Sequence, residues 1–178
     1  ILEQEGTVEV VSSLERNGVE IKDHIRFGVF AVFKTYSSYV ANCFNEYGMI
    51  TDNSGLYSCL WRPFHLIGLE LGYTVARCFL DQKATGVSKF FNGDVVAIAK
   101  KNLKVGDILD GEGGETVWGK LIPAKQSVNF KAIPIGLSNN IKIIKNVLKG
   151  NIISEEHVEK PKNTKALQLR KDMTKEIF

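Results

Sequence analysis

A repeated segment constrains the fold of this chain more than any other feature. Residues 101–110 read Lys-Asn-Leu-Lys-Val-Gly-Asp-Ile-Leu-Asp, and residues 145–154 read Lys-Asn-Val-Leu-Lys-Gly-Asn-Ile-Ile-Ser. Each copy predicts a tight turn at Gly106 or Gly150 followed by a short strand, because glycine adopts a positive φ without steric cost. Two copies on one chain indicate a small β unit with an internal pseudo-twofold axis.

The patterning changes near residue 90, where we predict a domain boundary. Before it, residues 7–11 alternate like a strand, and the apolar run 26–34 is typical of a strand covered on both faces. Ser37 or Ser38 can cap a helix that ends near Gly48, and Pro63 suits the first turn of a second helix reaching about residue 80. We therefore expect helices packed beside the covered strand.

After residue 90 the chain has short β-branched runs and glycine turns, with no helical period before residues 167–178. That last segment predicts either a short basic helix or a frayed terminus. The predicted fold class is α+β, with an α/β portion at residues 1–90, a β domain at 91–165 and a basic tail at 166–178.

Composition narrows the functional classes. No uninterrupted apolar run is long enough to cross a bilayer, so we expect no membrane contact. Residues 1–90 carry 8 basic and 10 acidic side chains, and residues 91–178 carry 15 and 10. The scattered lysines of the second half lack interleaved aromatic residues, which favours a solvated surface over a nucleic-acid groove.

Three cysteines, Cys43, Cys59 and Cys78, lack C-x-x-C spacing and are odd in number. This pattern argues against a disulfide framework and against a structural zinc site. We expect buried free thiols in a reducing, cytoplasmic setting. The chain begins at Ile1 without a signal region, and we interpret it as a piece of a longer polypeptide.

The best candidate site is the predicted junction between a loop and a helix at residues 57–65. Arg62 would lie beside free backbone N–H groups at the helix start, a combination suited to a phosphate or carboxylate. Tyr57 could add a hydroxyl group, and His65 could transfer a proton near neutral pH. Structural alternatives are an ion pair of Arg62 with Asp52 or Glu70, a packing role for Tyr57 and a satisfied structural histidine.

Two further clusters carry weaker signals. Asp52, His65 and Glu70 could offer metal ligands, but they lack a recognised ligand spacing, so we predict no metal site. The glycine-rich loop 111–115, with Glu112, Glu115, Trp118 and Lys120 in or after it, could line a sugar pocket. It could equally be turn chemistry, with Trp118 closing a small core and Glu115 and Lys120 facing water.

With its two turn-strand copies, the C-terminal half resembles the SAF domain, a β-clip module shared by sialic acid synthases, type III antifreeze proteins, flagellar pilus-assembly proteins and altronate dehydratases. The resemblance implies a compact β domain that stabilises a dimer or caps a site.

A second resemblance rests on three stretches: residues 47–57 (YGMITDNSGLY), 61–72 (WRPFHLIGLELG) and 110–124 (DGEGGETVWGKLIPA). They are similar to bacterial NAD(P)-dependent oxidoreductases of the homoserine dehydrogenase-like, SAF-containing group, which includes 1-deoxy-D-xylulose 5-phosphate reductoisomerase-like enzymes. The resemblance implies a Rossmann cofactor domain, a central α/β substrate and dimerisation domain, and a C-terminal SAF domain. It also implies NAD or NADP, with a divalent metal as an open alternative.

This chain departs from that family pattern because no G-x-G-x-x-G follows a strand. We therefore expect the cofactor domain to lie outside these residues, so that the chain alone is inactive. The expected parent is a cytoplasmic, homodimeric oxidoreductase acting on a small polar hydroxy or keto compound, phosphorylated or not. The rival hypothesis is a non-catalytic carbohydrate-binding or assembly module.

Overall fold

The fold is described by a computed structural model that covers residues 5–15, 17–22, 24–64 and 66–178. Helices and small antiparallel sheets give it the α+β class that the sequence predicts. Contacts between residues divide the chain into two units: Val11–Val87, and Ser88–Phe178 together with residues 5–10. No helix within the described residues is both long and apolar enough to cross a membrane.

In the order of the chain, the unit Val11–Val87 contains β1 (Val29–Lys34), α1 (Ser38–Glu46), β2 (Tyr57–Arg62) and α2 (Ile67–Leu80). The two strands form an antiparallel ladder from the pair Val29 and Arg62 to the pair Lys34 and Tyr57. The loop between α1 and β2 is a turn built on Asp52, as described below.

The predicted first helix is confirmed. Ser37 is its N-cap, and the Ser37 side chain accepts a hydrogen bond from the Val40 backbone N–H. Gly48 follows the helix with a φ of +65°, the left-handed conformation that ends many helices. Phe44 packs edge-on against Phe33 of β1, so the helix covers one end of the strand.

Three expectations for this part of the chain were wrong. Residues 7–11 form no strand, because they have no pairing partner and Val8 and Val10 face solvent. The strand predicted at 26–34 is shorter, and it is not covered on both faces: Val29 and Val32 are exposed. The cysteines are free, but none is buried, and Cys78 lies exposed on α2.

The unit Ser88–Phe178 contains β3 (Gly93–Ala99), β4 (Ile108–Asp110), β5 (Val117–Pro123), α3 (Ala124–Asn129), β6 (Asn139–Lys142) and α4 (Lys165–Ile177). The strands pair antiparallel as β3 with β5 and β4 with β6. Three-residue 3₁₀ turns lie at Ile135–Leu137 and Glu155–His157.

The two copies of the repeat meet at the centre of this unit. Leu103 and Val147 form an antiparallel bridge in which each backbone N–H donates to the carbonyl of the other, at 2.8 and 3.0 Å. Both side chains are buried. Corresponding residues of the copies therefore pair with each other, as a pseudo-twofold axis requires.

The asparagines that open the copies exchange equivalent contacts. The Asn102 side chain accepts from the Lys149 backbone N–H at 2.9 Å, and the Asn146 side chain accepts from the Val105 backbone N–H at 3.0 Å. Each asparagine thus ties down the turn of the other copy. This reciprocity explains why both segments have an asparagine at the second position.

The two glycine turns are also equivalent. Gly106 and Gly150 have φ values of +100° and +87°. Gly106 N–H donates to Ile143 O and Gly150 N–H donates to Ala99 O, both at 2.9 Å. The predicted turns and their pseudo-twofold relation are present in the structure.

The expectation of no helix between residue 93 and the tail was wrong. Helix α3 spans six residues, too few for a hydrophobic period to appear in the sequence. For the tail, the structure shows the helix and not the frayed terminus. Thr164 caps α4 by accepting from the Leu167 backbone N–H, and Arg170 forms an ion pair with the buried Asp94 at 2.5 Å.

Candidate functional site

The predicted junction at residues 57–65 is built differently from our expectation. Tyr57–Arg62 is strand β2, and α2 begins at Ile67 with Leu66 as an N-cap that makes no side-chain capping bond. Pro63 therefore precedes the helix instead of opening it. Pro63 was a misleading signal, because proline suits the first turn of a helix and also the loop that follows a strand.

Arg62 ends β2 and contacts the first turn of α2. Its Nη2 lies 2.6 Å from Oε1 of Glu70, so of the two ion pairs considered from the sequence the structure shows the one with Glu70. The guanidinium also lies 5.9 Å from the Phe64 ring centre. Because 59% of the Arg62 side chain stays exposed, part of the guanidinium remains accessible to a ligand.

An open cleft of about 300 Å³ surrounds this end of the ladder. Its lining is mostly apolar and combines β1, β2 and the start of α2: Val29, Ala31, Leu60, Trp61, Arg62, Phe64 and Glu70. The cleft is apolar apart from the pair of Arg62 and Glu70, and the exposed part of the Arg62 side chain is the group in it that could bind an anionic end of a small ligand.

Tyr57 lies at the other end of β2. It is five positions from Arg62, which amounts to about 16 Å along a strand and places the two side chains on opposite faces. Its ring lies 5.1 Å from Nζ of Lys34, the residue opposite it on β1. The structure therefore does not bring Tyr57 and Arg62 into one site, and the predicted substrate-binding role of each remains a prediction.

Asp52 has a structural explanation. Its carboxylate accepts hydrogen bonds from the Ser54 hydroxyl and, at 3.1 Å, from the Tyr57 backbone N–H. These bonds, that of Ser54 first, lower the pKa of Asp52 below its ordinary value. Asp52 thus closes the turn that leads into β2. His65, the predicted proton-transfer residue, lies outside the described residues, and its role also remains a prediction.

Trp61 lines the candidate site, although the sequence did not single it out. Its indole N–H donates to the Phe27 carbonyl at 3.1 Å, and the Arg26 guanidinium lies 5.5 Å from its ring centre. A side chain at Gly28 would meet the Arg62 carbonyl oxygen at 2.4 Å and the indole nitrogen at 2.5 Å. The glycine in Arg26-Phe27-Gly28 was the available signal, since it permits this close approach.

The glycine-rich loop of the second unit is a closed turn around Asp110. The Asp110 carboxylate accepts from the Thr116 hydroxyl and from the backbone N–H groups of Glu115 and Thr116, at 2.6 and 3.0 Å. Lys100 Nζ donates to the Gly114 carbonyl at 2.5 Å. These contacts favour the turn-chemistry interpretation over a sugar pocket.

The side chains that follow the glycines face solvent. Glu112 and Trp118 are exposed, as are Glu115 and Lys120. Trp118 therefore does not close the core, contrary to one of our expectations, whereas Glu115 and Lys120 face water as expected.

The N-terminal part of the chain matches a known family. Residues 1–71 match the family model described as "Oxidoreductase DRL, catalytic domain". The matched stretch contains β1, α1, β2 and the beginning of α2, and thus the whole cleft around Arg62. The match supports an oxidoreductase-type function. No curated protein matches the chain.

Oxidoreductase chemistry raises the question of a dinucleotide site. Such a site needs a glycine-rich turn from a parallel strand into a helix, so that backbone N–H groups can contact the pyrophosphate. Here the connections Thr-Tyr-Ser before α1 and Pro-Phe-His-Leu before α2 contain no glycine, and α3 follows β5 directly. Within the described residues, these connections do not fit a nicotinamide dinucleotide.

Metal ligation finds no support either. Within the described residues, no group of three or more histidine, cysteine, aspartate or glutamate side chains is placed to hold a metal ion. Asp52 and Glu70, two of the donors considered from the sequence, are engaged in the turn before β2 and in the pair with Arg62.

Proposed function

We propose that this chain supplies the substrate-binding part of an NAD(P)H-dependent oxidoreductase that acts on a small polar hydroxy or keto compound. The observation that carries the proposal is the match of residues 1–71 to an oxidoreductase catalytic domain, together with the cleft that this stretch forms. A phosphate or carboxylate on the substrate would suit the exposed part of the Arg62 guanidinium.

In this proposal the cleft holds the substrate and does not deliver hydride. The apolar lining from β1 and β2 would shield the carbon skeleton from water, while Arg62 would orient the anionic end. Trp61 holds the cleft wall through its bond to Phe27 and its contact with Arg26. His65, beside this wall in sequence, would be the proton-transfer group.

The nicotinamide cofactor would be bound by a separate domain, because the connections described above do not fit it. We expect calorimetric titration of the 178-residue chain with NADPH to show no binding and the chain alone to show no reductase activity. Saturable binding of NADPH to this chain would contradict the proposal that a separate domain binds the cofactor, but it would not contradict the oxidoreductase assignment.

Arg62 provides the direct test of the cleft. In the complete enzyme, with its cofactor domain, Arg62→Ala should lower kcat/KM at least about tenfold, or about 1.4 kcal/mol of transition-state binding. Steady-state kinetics measure this loss. Arg77→Ala is the matched control, since Arg77 also forms an ion pair on α2, with Asp81, but does not line the cleft.

Equal kinetics for the wild type and Arg62→Ala would remove Arg62 from the substrate site. Equal losses for Arg62→Ala and Arg77→Ala would mean that the losses come from damage to α2 and not from lost substrate contacts.

The unit Ser88–Phe178 would be an SAF-type β-clip domain, and the protein a cytoplasmic homodimer. The reciprocal contacts between the two repeat copies support the first part. Exposed apolar side chains on α2, among them Leu69 and Phe79, support an apolar protein partner such as a second copy.

The alternative function is a non-catalytic carbohydrate-binding or assembly module. The dense core of the unit Ser88–Phe178 favours it, because such a module needs only that unit. The two proposals differ in kinetics: an oxidoreductase loses turnover when Arg62 is replaced, and a binding module has no turnover to lose.

A further inference from the structure

We infer that the unit Ser88–Phe178 contains a second binding site, for a small organic anion with an apolar body. The site is a half-open cavity of about 1340 Å³ between α4 and the segments 127–137 and 155–163. Small-molecule pockets usually measure roughly 300–1000 Å³, so a compact ligand fits easily. This inference does not depend on the proposed function, which concerns the other unit.

The charge of the lining sets the class of ligand. Lys131, Lys160, Lys171 and Lys175 line the cavity, against a single carboxylate, that of Glu155. None of these lysines forms an ion pair with another described residue. An anion entering the cavity would therefore meet several uncompensated positive charges.

Two of the three lysines of helix α4, Lys171 and Lys175, line the cavity. The residues of α4 and its C-cap that line the cavity follow a helical spacing along one face: Leu167, Gln168, Arg170, Lys171, Thr174, Lys175 and Phe178. A helix that only covered a core would present apolar residues on that face. The mixture of lysine and apolar side chains suits a ligand with both an anionic and an apolar part.

Lys131 has an unusual backbone conformation. Its φ is +48°, in the left-handed region where glycine has no steric cost and other residues are uncommon. The Lys131 carbonyl accepts from the Glu155 backbone N–H at 2.9 Å, which fixes this conformation at the cavity wall. Glycine would satisfy the backbone better, so what lysine contributes here is its side chain.

Asp94 and Arg170 anchor α4 at one wall of the cavity. Arg170 pairs with Asp94 at 2.5 Å, Asp94 also accepts from the buried Ser127 hydroxyl, and Arg170 stacks 4.5 Å from the Phe91 ring centre. This network holds α4 against the body of the unit. The Arg170 charge is compensated by Asp94, so the lysines are the groups left to bind the anion.

Phenyl phosphate is the test ligand, because it joins a phosphate to an apolar ring. Titrated into the whole 178-residue chain, it should shift backbone amide resonances of α4 and of residues 127–137 in a saturable way. Inorganic phosphate has only the anionic group and phenol has only the apolar ring, so each should bind at least about tenfold more weakly. Benzoate distinguishes a general anion site, where it binds comparably, from a phosphate-selective one.

Lys131→Gly removes one positive charge from the site. Because glycine adopts a positive φ without strain, the substitution should not destabilise the fold. It should weaken phenyl phosphate binding at least about fivefold. Asn140→Gly is the matched backbone control, since Asn140 also has a positive φ (+56°) but does not line the cavity. Lys104→Ala, at an exposed lysine of the repeat turn, is the matched charge control.

Both controls should change the affinity less than about twofold. The inference is overturned if phenyl phosphate causes no saturable shifts at the cavity, if Lys104→Ala weakens binding as much as Lys131→Gly, or if phenol binds as tightly as phenyl phosphate.

Discussion

The two units of this protein use their apolar residues in opposite ways. Of the buried hydrophobic side chains among the described residues, Phe44 alone belongs to Val11–Val87, and the others lie between residues 91 and 158. Yet the first unit is not poor in apolar residues. Helix α2 contains leucine, isoleucine, valine and phenylalanine and buries none of them.

The two units differ in how much apolar surface they bury because their segments pair differently, and not because their compositions differ. In Ser88–Phe178, two copies of one segment close on each other, so that each buries the apolar side chains of the other around Leu103 and Val147. In Val11–Val87, one hairpin-like ladder and two helices leave much apolar surface exposed. The content of apolar residues alone therefore does not predict which part of a chain will bury a hydrophobic core.

The largest expected effect is the contrast between a buried and an exposed leucine. Leu103→Ala should destabilise its unit by about 3 kcal/mol, because it removes buried methyl groups and leaves a cavity. Leu69→Ala, where the leucine is 77% exposed on α2, should cost less than about 0.5 kcal/mol.

Each unit holds one tryptophan, which allows separate measurement. In a Trp61→Phe background, Trp118 alone reports urea unfolding of Ser88–Phe178, and in a Trp118→Phe background Trp61 reports the other unit. A loss at Leu69→Ala as large as that at Leu103→Ala would show that α2 is buried in solution, most simply against a second copy.

A smaller effect is expected at the repeat turns. Gly106→Ala and Gly150→Ala should each cost about 1–2 kcal/mol, because alanine resists the left-handed conformation. The two losses should agree, since the turns are equivalent. Gly136→Ala is the control: Gly136 has open space for a methyl group and no positive φ. Urea unfolding followed by Trp118 fluorescence measures all three, and clearly unequal losses at the two turns would break their equivalence.

The smallest expected effect is on the stability of the fold at acidic pH. The hydrogen bond from the Thr116 hydroxyl, ahead of the backbone bonds from Glu115 and Thr116, lowers the pKa of Asp110 from 3.8 to about 2. Because the folded pKa is depressed, Asp110 contributes stability above pH 4 that is lost as the pH falls toward 2. Titration of the Asp110 carboxyl carbon by NMR measures the pKa directly.

Asp110→Asn should remove this part of the acid dependence, because the amide cannot accept all the bonds that the carboxylate accepts. Asp52→Asn is the comparison in the other unit, where the turn before β2 uses the same chemistry. An ordinary pKa for Asp110 would contradict the closed-turn description of the glycine-rich loop.

Local sequence signals predicted local structure well. Ser37 and Gly48 bound α1, and Gly106 and Gly150 mark the turns, because capping and positive φ depend on a few neighbouring atoms. The signals failed where a short segment fits more than one structure. Residues 57–62 fit the loop that we expected before a helix at Pro63, and they also fit a strand; pairing with β1 decides for the strand.

The candidate site shows the same limit. The residue types around Arg62 could be read from the sequence, but the partner of its guanidinium could not, since Asp52 and Glu70 are both near in sequence. The pairing of β2 with β1 and the start of α2 at Ile67 place Glu70 beside Arg62 and turn Tyr57 to the other face. The sequence did not predict the cavity under α4 either, because the lysines that line it lie far apart along the chain.

By itself, then, the sequence determined the α+β class and the pseudo-twofold β unit. A repeated segment can pair with its own second copy, because each copy provides the hydrogen-bond donors and acceptors that the other requires. The tertiary structure decided which apolar surfaces are buried, which carboxylate pairs with Arg62 and which lysines share a cavity. Those outcomes depend on contacts between segments that are distant in the sequence, and the sequence of one segment does not specify which other segment it will contact.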